Sequence, residues 1–261
     1  MPLISVVISC YNDHEHLDEA IASVRAQKVS DCEIIVVNDG SSKPETLQAL
    51  DQLPADVQVI HSPNKGLSGA RNTGIAAASG TFIVTLDSDY RFAPAFFRKA
   101  LGVFEVQPAV GVVTSYVQSF GASKKVWRST ASDDLSLLTE NRIVACCAFR
   151  RLCWEQTGGY DENMRHGLED WEFWIRVTRL GWKIHVIPEK LFFYRKKANS
   201  MLKDETLPRQ SAILDYMMQK HGEWFLATLK KGILEKQLLV KKNLIPRRIA
   251  GLLLEKLRGR F

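Results

Sequence analysis

The sequence predicts an α/β fold, a mostly parallel sheet flanked by helices with a helical C-terminal tail. Three observations carry that expectation. Short apolar runs of strand length alternate with amphipathic helical runs through the first half, the pattern of βαβ units whose sheet is covered on both faces. Three of those strands end in polar, acidic or turn-forming residues, Tyr11-Asn12-Asp13, Asp39-Gly40-Ser41-Ser42 and Asp87-Ser88-Asp89, where ligands of open parallel sheets bind. The 261 residues, 46% hydrophobic and 25% charged, suffice for a sizeable core.

The elements follow in order. LISVVIS (3–9) is a buried strand, and EHLDEAIASVRAQ (15–27) places Leu17, Ala20, Ile21 and Val24 on one helical face. EIIVVN (33–38) is the second strand, and Pro44 suits the first turn of the next helix. VQVIH (57–61) is the third, and LSGARNTGIAAA reads as a closely packed helix of small residues. TFIVTLD (81–87) is the fourth. In the second half VGVVTSYV (110–117), RIVACCAFR (142–150), KIHVI (183–187) and LFFY (191–194) read as strands. A polar loop, 157–170, delivers Glu169 and Asp170 to a helix that Gly181 ends, and residues 208–220 read as a short helix. The domain boundaries expected are 1–205 for the main domain, with halves at about 1–117 and 118–205, and 206–261 for the extension.

Asp87 and Asp89 form the only Asp-x-Asp of the chain. Two readings stand for them: a turn at a strand end, or a pair engaging a hard divalent cation that neutralises phosphate oxygens. Asp39 reads as a turn residue before Gly40 or as an acceptor for a nucleobase or ribose. NKGLSGARN (64–72) is a Gly-rich loop opening a helix, with Lys65 and Arg71 as phosphate partners at an anion-favouring N-terminus. It matches neither GxGxxG nor GxxxxGK[ST]. Glu169 and Asp170 cap a helix, or one of them is a general base for an acceptor hydroxyl, with Trp171 and Trp174 as an acceptor platform or as core of a helix packed against the sheet.

The net charge of +6 is local: residues 229–261 hold ten basic and two acidic side chains, leaving 25 and 27 in residues 1–228. A basic body would point to nucleic acid, and this distribution does not. The tail interleaves Leu and Ile with Lys and Arg, which suits an anionic membrane surface, a helix docked on the domain, or a homodimer. Five cysteines without a paired CxxC framework indicate reduced thiols and a cytoplasmic protein, peripheral on the inner face of the membrane if the tail binds there. The N-terminus lacks the basic region of a signal peptide, and no run reaches the ~18–20 apolar residues that span a bilayer.

Taken together, CYN, VVNDGSS, NKGLSGARNTGIAAASGTFIVTLDSD, GGYDE…GLEDWEFWIR and FFYR resemble the inverting glycosyltransferases of family 2, of the bacterial cell-surface polysaccharide type, with the GT-A fold. The resemblance covers roughly residues 3–200. It implies sugar transfer from a nucleoside-diphosphate sugar, UDP favoured and dTDP close behind, to a hydroxyl of a glycan or lipid-linked glycan, by a hexosyl- or N-acetylhexosaminyltransferase. Asp39 would read the nucleobase, with Tyr11 and Asn12 beside it. Arg71 would face the nucleotide, with Lys65, Ser88 and Arg195 as further donor contacts. Asp87 would lie near ribose and metal, and Asp89 would ligate Mn2+ or Mg2+ directly. Asp170 would be the base and Glu169 an acceptor contact.

One departure stands out. Family members often carry YRxH where this chain reads Tyr194-Arg195-Lys196-Lys197. A protonated ammonium cannot ligate a metal, so Lys197 is expected at phosphate or in solvent. Two other readings remain beside transfer: a nucleotidyltransferase acting on a sugar phosphate, for which no triphosphate cradle is evident, and a non-catalytic scaffold of glycan assembly.

Overall fold

A computed structural model describes residues 3–130, 136–197 and 200–241, and its architecture is the expected α/β one. The first half runs β1 (Ile4–Cys10), α1 (Leu17–Arg25), β2 (Cys32–Asp39), α2 (Pro44–Asp51), β3 (Val57–Ser62), α3 (Gly66–Ala77) and β4 (Phe82–Asp87). The second runs β5 (Arg91–Phe92), α4 (Phe96–Val106), β6 (Val110–Gly121), β7 (Val126–Trp127), β8 (Ala148–Arg150), α5 (Arg151–Thr157), α6 (Glu169–Arg179), β9 (Lys183–Lys196) and α7 (Leu207–Lys241).

The sheet order is β3-β2-β1-β4-β8-β6-β9-β5, with β7 paired to β6. Its first four strands are parallel, β8 runs antiparallel to both neighbours, and β6 and β9 pair parallel. Alternation along each strand divides the core into two layers. Val6, Ile8 and Val36 meet α1 and α4 on one side; Val7, Ile35 and Val37 meet α3 and α6 on the other. Each fully buried side chain of this kind stabilises by roughly 1.5–3 kcal/mol. Helix α3 lies so close to the sheet that a Cβ on Gly74 would come within 2.4 Å of Val7 Cγ1, the physical reason for its small residues.

The second half departs from the sequence reading in four places. Residues 96–106 form α4, whose Phe96, Phe97, Ala100 and Phe104 are buried. Only 148–150 of the 142–150 run is strand, because β8 is a short antiparallel insert between β4 and β6. A short helix, α5, follows directly and ends on Gly158 in the left-handed region. The runs 183–187 and 191–194 are one strand, β9, with register shifts against β6 near Ser115–Val117.

The C-terminal helix runs on past the 208–220 segment into the helical extension expected over 206–261, and breaks at His221, whose φ of −123° and ψ of 15° are non-helical. Its first stretch docks on the domain. Ile213 and Met217 enter the apolar layer around α6. The fully buried Glu172 carboxylate accepts from Arg176 Nε (2.8 Å) and is paired with Lys220 Nζ (2.9 Å) and His221 Nε2 (2.9 Å). Beyond the break, Leu226, Leu229, Ile233 and Leu234 are exposed. Residues 242–261, with six of the tail's ten basic side chains, lie outside the described residues, so the membrane and dimer expectations for them stay where the sequence left them. Among the described residues no helix is long and apolar enough to cross a membrane.

Candidate active site

Parallel register aligns the strand ends. Cys10 lies opposite Asn38, and Ser9 opposite Asp87, so the loops after β1, β2 and β4 leave the sheet side by side. Asn12, at φ 52°, ties the first two together. Its Oδ1 accepts from the backbone N–H of Ser42 (2.8 Å) and Lys43 (2.9 Å), and its own N–H donates to Ser41 Oγ (2.9 Å). Tyr11 beside it is exposed. Gly40, at φ +70°, lets the second loop run against Asn64, where a Cβ would sit 2.6 Å from the backbone nitrogen.

Asp39 is nearly buried, and its Oδ1 accepts from the Lys65 N–H at 2.8 Å. Burial pushes its carboxyl upward, against the N–H groups of Lys65 and Gly66. Arg165 donates to the Asn64 carbonyl (3.0 Å) and stands close enough to Asp39 to act on its charge. Lys65 reaches this cluster through its backbone.

Arg71 of α3 is fully buried, and both ends of its guanidinium are engaged. Nη1 donates to Glu169 Oε1 (2.5 Å) and Nη2 to Asp87 Oδ1 (3.1 Å), while the group lies 5.4 Å from the centre of the Tyr160 ring. Burial opposes its charge, but the two carboxylates outweigh burial and raise its pKa further. This arginine joins the strand end carrying Asp87 to the helix start carrying Glu169 and Asp170.

Asp170 sits in the first turn of α6, where the helix dipole favours an anion. Its Oδ2 accepts from Asn141 Nδ2 and its Oδ1 from the Trp171 N–H, both at 2.8 Å. Burial first, then the adjacent Glu169 charge, push its pKa up to about 7 against the pull of Arg71. Together with Arg71, Asp87 and Glu169 it lines a cavity of about 1410 Å³. The walls carry Tyr90, Tyr116, Trp127, Tyr194 and the cations Arg128, Lys190 and Lys196. Aromatic faces with polar edges suit sugar rings.

Trp171 requires a correction. The sequence reading gives it to an acceptor platform, but its indole Nε1 donates to the Leu137 carbonyl (2.9 Å) and the ring is buried in the core. Alternation along α6 turns it away from the cavity that Asp170 faces; Trp174 is likewise core. The aromatics on the cavity wall come instead from β6, β7, β9 and the loop after β4.

The Asp-x-Asp loop is bound to the end of β9. Lys197 Nζ lies 2.8 Å from Asp13 Oδ2 and 3.0 Å from Asp89 Oδ2. Ser88 Oγ donates to Asp13 Oδ2 (3.2 Å). Arg195 Nε donates to the Asp89 carbonyl (3.1 Å), and its far end pairs with Glu19. Burial pushes Asp89 up to about 6, Lys197 opposing and Asp87 and Asp13 adding to the rise. Three participants were not singled out from the sequence: Asp13, Asn141 and Arg165. Only Asp13 had a signal, its place in a strand-end cluster.

A model of Glycosyl transferase family 2 matches residues 5–201. The chain belongs to that family. It is 30% identical over 239 residues to the uncharacterized glycosyltransferase EpsJ of Bacillus subtilis, covering 85% of this chain and 68% of that one. It is 32% identical over 212 residues to the uncharacterized glycosyltransferase alr2836 of Nostoc sp., covering 74% and 64%. Among solved structures, S. aureus TarS aligns with a TM-score of 0.62 at 19% identity, over 75% of this chain and 37% of TarS. TarS 1-349 in complex with UDP-GlcNAc aligns with 0.64, over 78% and 61%. The fold is therefore GT-A, and the chain spans 37% of the TarS chain in that structure.

Family 2 glycosyltransferases generally use a divalent metal, and Asp87 with Asp89 is the pair expected to hold Mn2+ or Mg2+ here. The donor set does not fit one. Asp87 is engaged by Arg71, and Asp89 by the Lys197 ammonium. Among the described residues no three His, Cys, Asp or Glu side chains are grouped to hold a metal ion.

Proposed function

We propose that this glycosyltransferase moves a sugar from a nucleoside-diphosphate sugar, UDP-linked for preference, to a hydroxyl of a glycan or lipid-linked glycan, with inversion at the anomeric carbon. The observation that carries the reading is Asp170: a carboxylate lining a cavity of about 1410 Å³, fixed by two hydrogen bonds, with a pKa pushed to about 7. A base that operates near neutral pH is most effective with such a value. Asp170 takes the proton of the acceptor hydroxyl as its oxygen attacks the anomeric carbon, and the bond to the diphosphate breaks on the opposite face. Glu169, held by Arg71, keeps a negative charge beside Asp170 that sustains its basicity.

The donor side of the reading rests on Asp39 for the base, on the loops carrying Tyr11, Asn12, Lys65 and Ser88 around it, and on Lys197 and Arg195 near Asp89 for the diphosphate. The TarS complex with UDP-GlcNAc, on the same fold, supports a nucleotide-sugar donor. The test is a screen of UDP- and dTDP-sugars read as nucleoside diphosphate release, with wild type against Asp170→Asn. The variant should lose transfer by about 100-fold or more while binding UDP as the wild type does, and NMR of the product should show an inverted anomer. An Asp170→Asn enzyme within tenfold of wild type would refute the assignment and revive the scaffold reading.

A further inference from the structure

We infer that Lys197 supplies at the Asp-x-Asp loop the positive charge that a divalent cation would otherwise bring, so that the diphosphate of the donor is bound without metal. The inference rests on the donor reading above and goes beyond it. Two carboxylate oxygens from two strand ends, Asp13 Oδ2 and Asp89 Oδ2, converge on one Nζ at 2.8 and 3.0 Å. That convergence on a point is what a bound cation produces, and here the cation is covalently part of the chain.

The geometry leaves the ammonium work to do. It has three N–H donors, and the two carboxylates take two of them. Among the described residues the third has no partner, which leaves it for a phosphate oxygen. Arg195 stands two residues earlier, and its Nε donates to the carbonyl of Asp89. The end of β9 thus brings two cationic side chains to one loop, Lys197 through its ammonium and Arg195 through its Nε, with the far end of Arg195 paired to Glu19. A metal placed between Asp13 and Asp89 would have to expel the Lys197 ammonium and would gain no imidazole, since lysine stands where a ligating side chain would be needed.

The test uses the whole chain and UDP as probe, with binding measured by calorimetry in EDTA, in Mn2+ and in Mg2+. Wild-type affinity should change less than about twofold among the three. Lys197→Met should lose roughly ten- to a hundredfold in affinity, the range of one charge-assisted hydrogen bond, and Mn2+ should not restore it. Lys197→Arg should keep chelator-insensitive binding. Lys197→His should bind weakly in EDTA and regain affinity with Mn2+, with the free Mn2+ electron paramagnetic resonance signal falling as UDP is added. Wild-type binding that appears only with metal, or a folded Lys197→Met protein that binds UDP normally, would overturn the inference alone. Failure of both UDP and dTDP to bind under every metal condition would overturn the donor reading, and this inference with it.

Discussion

Arg71→Met tests whether the arginine is the joint that holds the two halves of the site together. Methionine keeps the length and apolar stem but removes the charge. Glu169 is then buried, with its carboxylate 5% exposed and no cation at 2.5 Å; Asp87, at 22%, falls back partly on solvent. Removing one partner of a buried ion pair costs about 3–5 kcal/mol, and loss of the contact with Tyr160 adds roughly 0.5–1 kcal/mol. Against a total stability of about 5–15 kcal/mol, the variant should remain folded but close to its margin. Urea unfolding of wild type and variant at pH 7.5 measures the cost. A variant within 1 kcal/mol of wild type would refute the reasoning.

Two further outcomes follow from the buried carboxylates. Because Asp170 must be ionised to act as base and its pKa is pushed to about 7, kcat/KM should rise with pH through a limb centred near 7. Arg71→Met should move that limb to higher pH, since Arg71 favours the ionised form; a limb near pH 4 would remove Asp170 from the role. Burial alone would raise Glu172, but hydrogen bonds from His221, Arg176 and Lys220 hold it down at about 2. Its contribution, on the order of 3 kcal/mol, is present above the unfolded value of ~4.3 and lost as pH falls through 2. Amide protection over residues 207–221, taken relative to the intrinsic exchange rate at each pH, should therefore fall between pH 5 and pH 2.5 in wild type, and Glu172→Gln should show the lower protection already at pH 5. Equal protection of wild type at both pH values would count against this anchor for α7.

How far the sequence could be read depended on whether a residue's partners were local. The parallel half was legible because each strand is a buried apolar run and each strand end sits in a short, punctuated loop. Helix α4 was legible in principle: Phe96, Phe97, Ala100 and Phe104 follow helical spacing, and the run lay unread between two clearer strands. The 142–150 run misled because it is apolar throughout, yet only 148–150 finds strand neighbours, and nothing local marks where pairing begins. The break of α7 at His221 was hidden for a similar reason. It is held by Glu172, forty-nine residues away, a tertiary choice that periodicity does not contain.

The site divides along the same line. Residue types at strand ends pointed to Asp39, Asp87 and Asp89, because each sits where a fold of this class collects ligands, and the family resemblance added Asp170. What each carboxylate faces was not legible, and that decides its chemistry. Asp87 and Asp89 look equivalent in sequence, yet one is held by a buried arginine from α3 and the other by a lysine from the end of β9. Trp171 follows Asp170 directly, yet one helical step turns it into the core. The sequence puts a lysine at 197 where a metal-ligating histidine would fall, and expects it at phosphate or in solvent. Its ammonium lies between Asp13 and Asp89, and the sequence places Asp13 in a strand-end cluster without a role because its partners arrive from 75 and 184 residues away. A substitution that looks like a deletion of function in one dimension is, in three, a change in where the positive charge comes from.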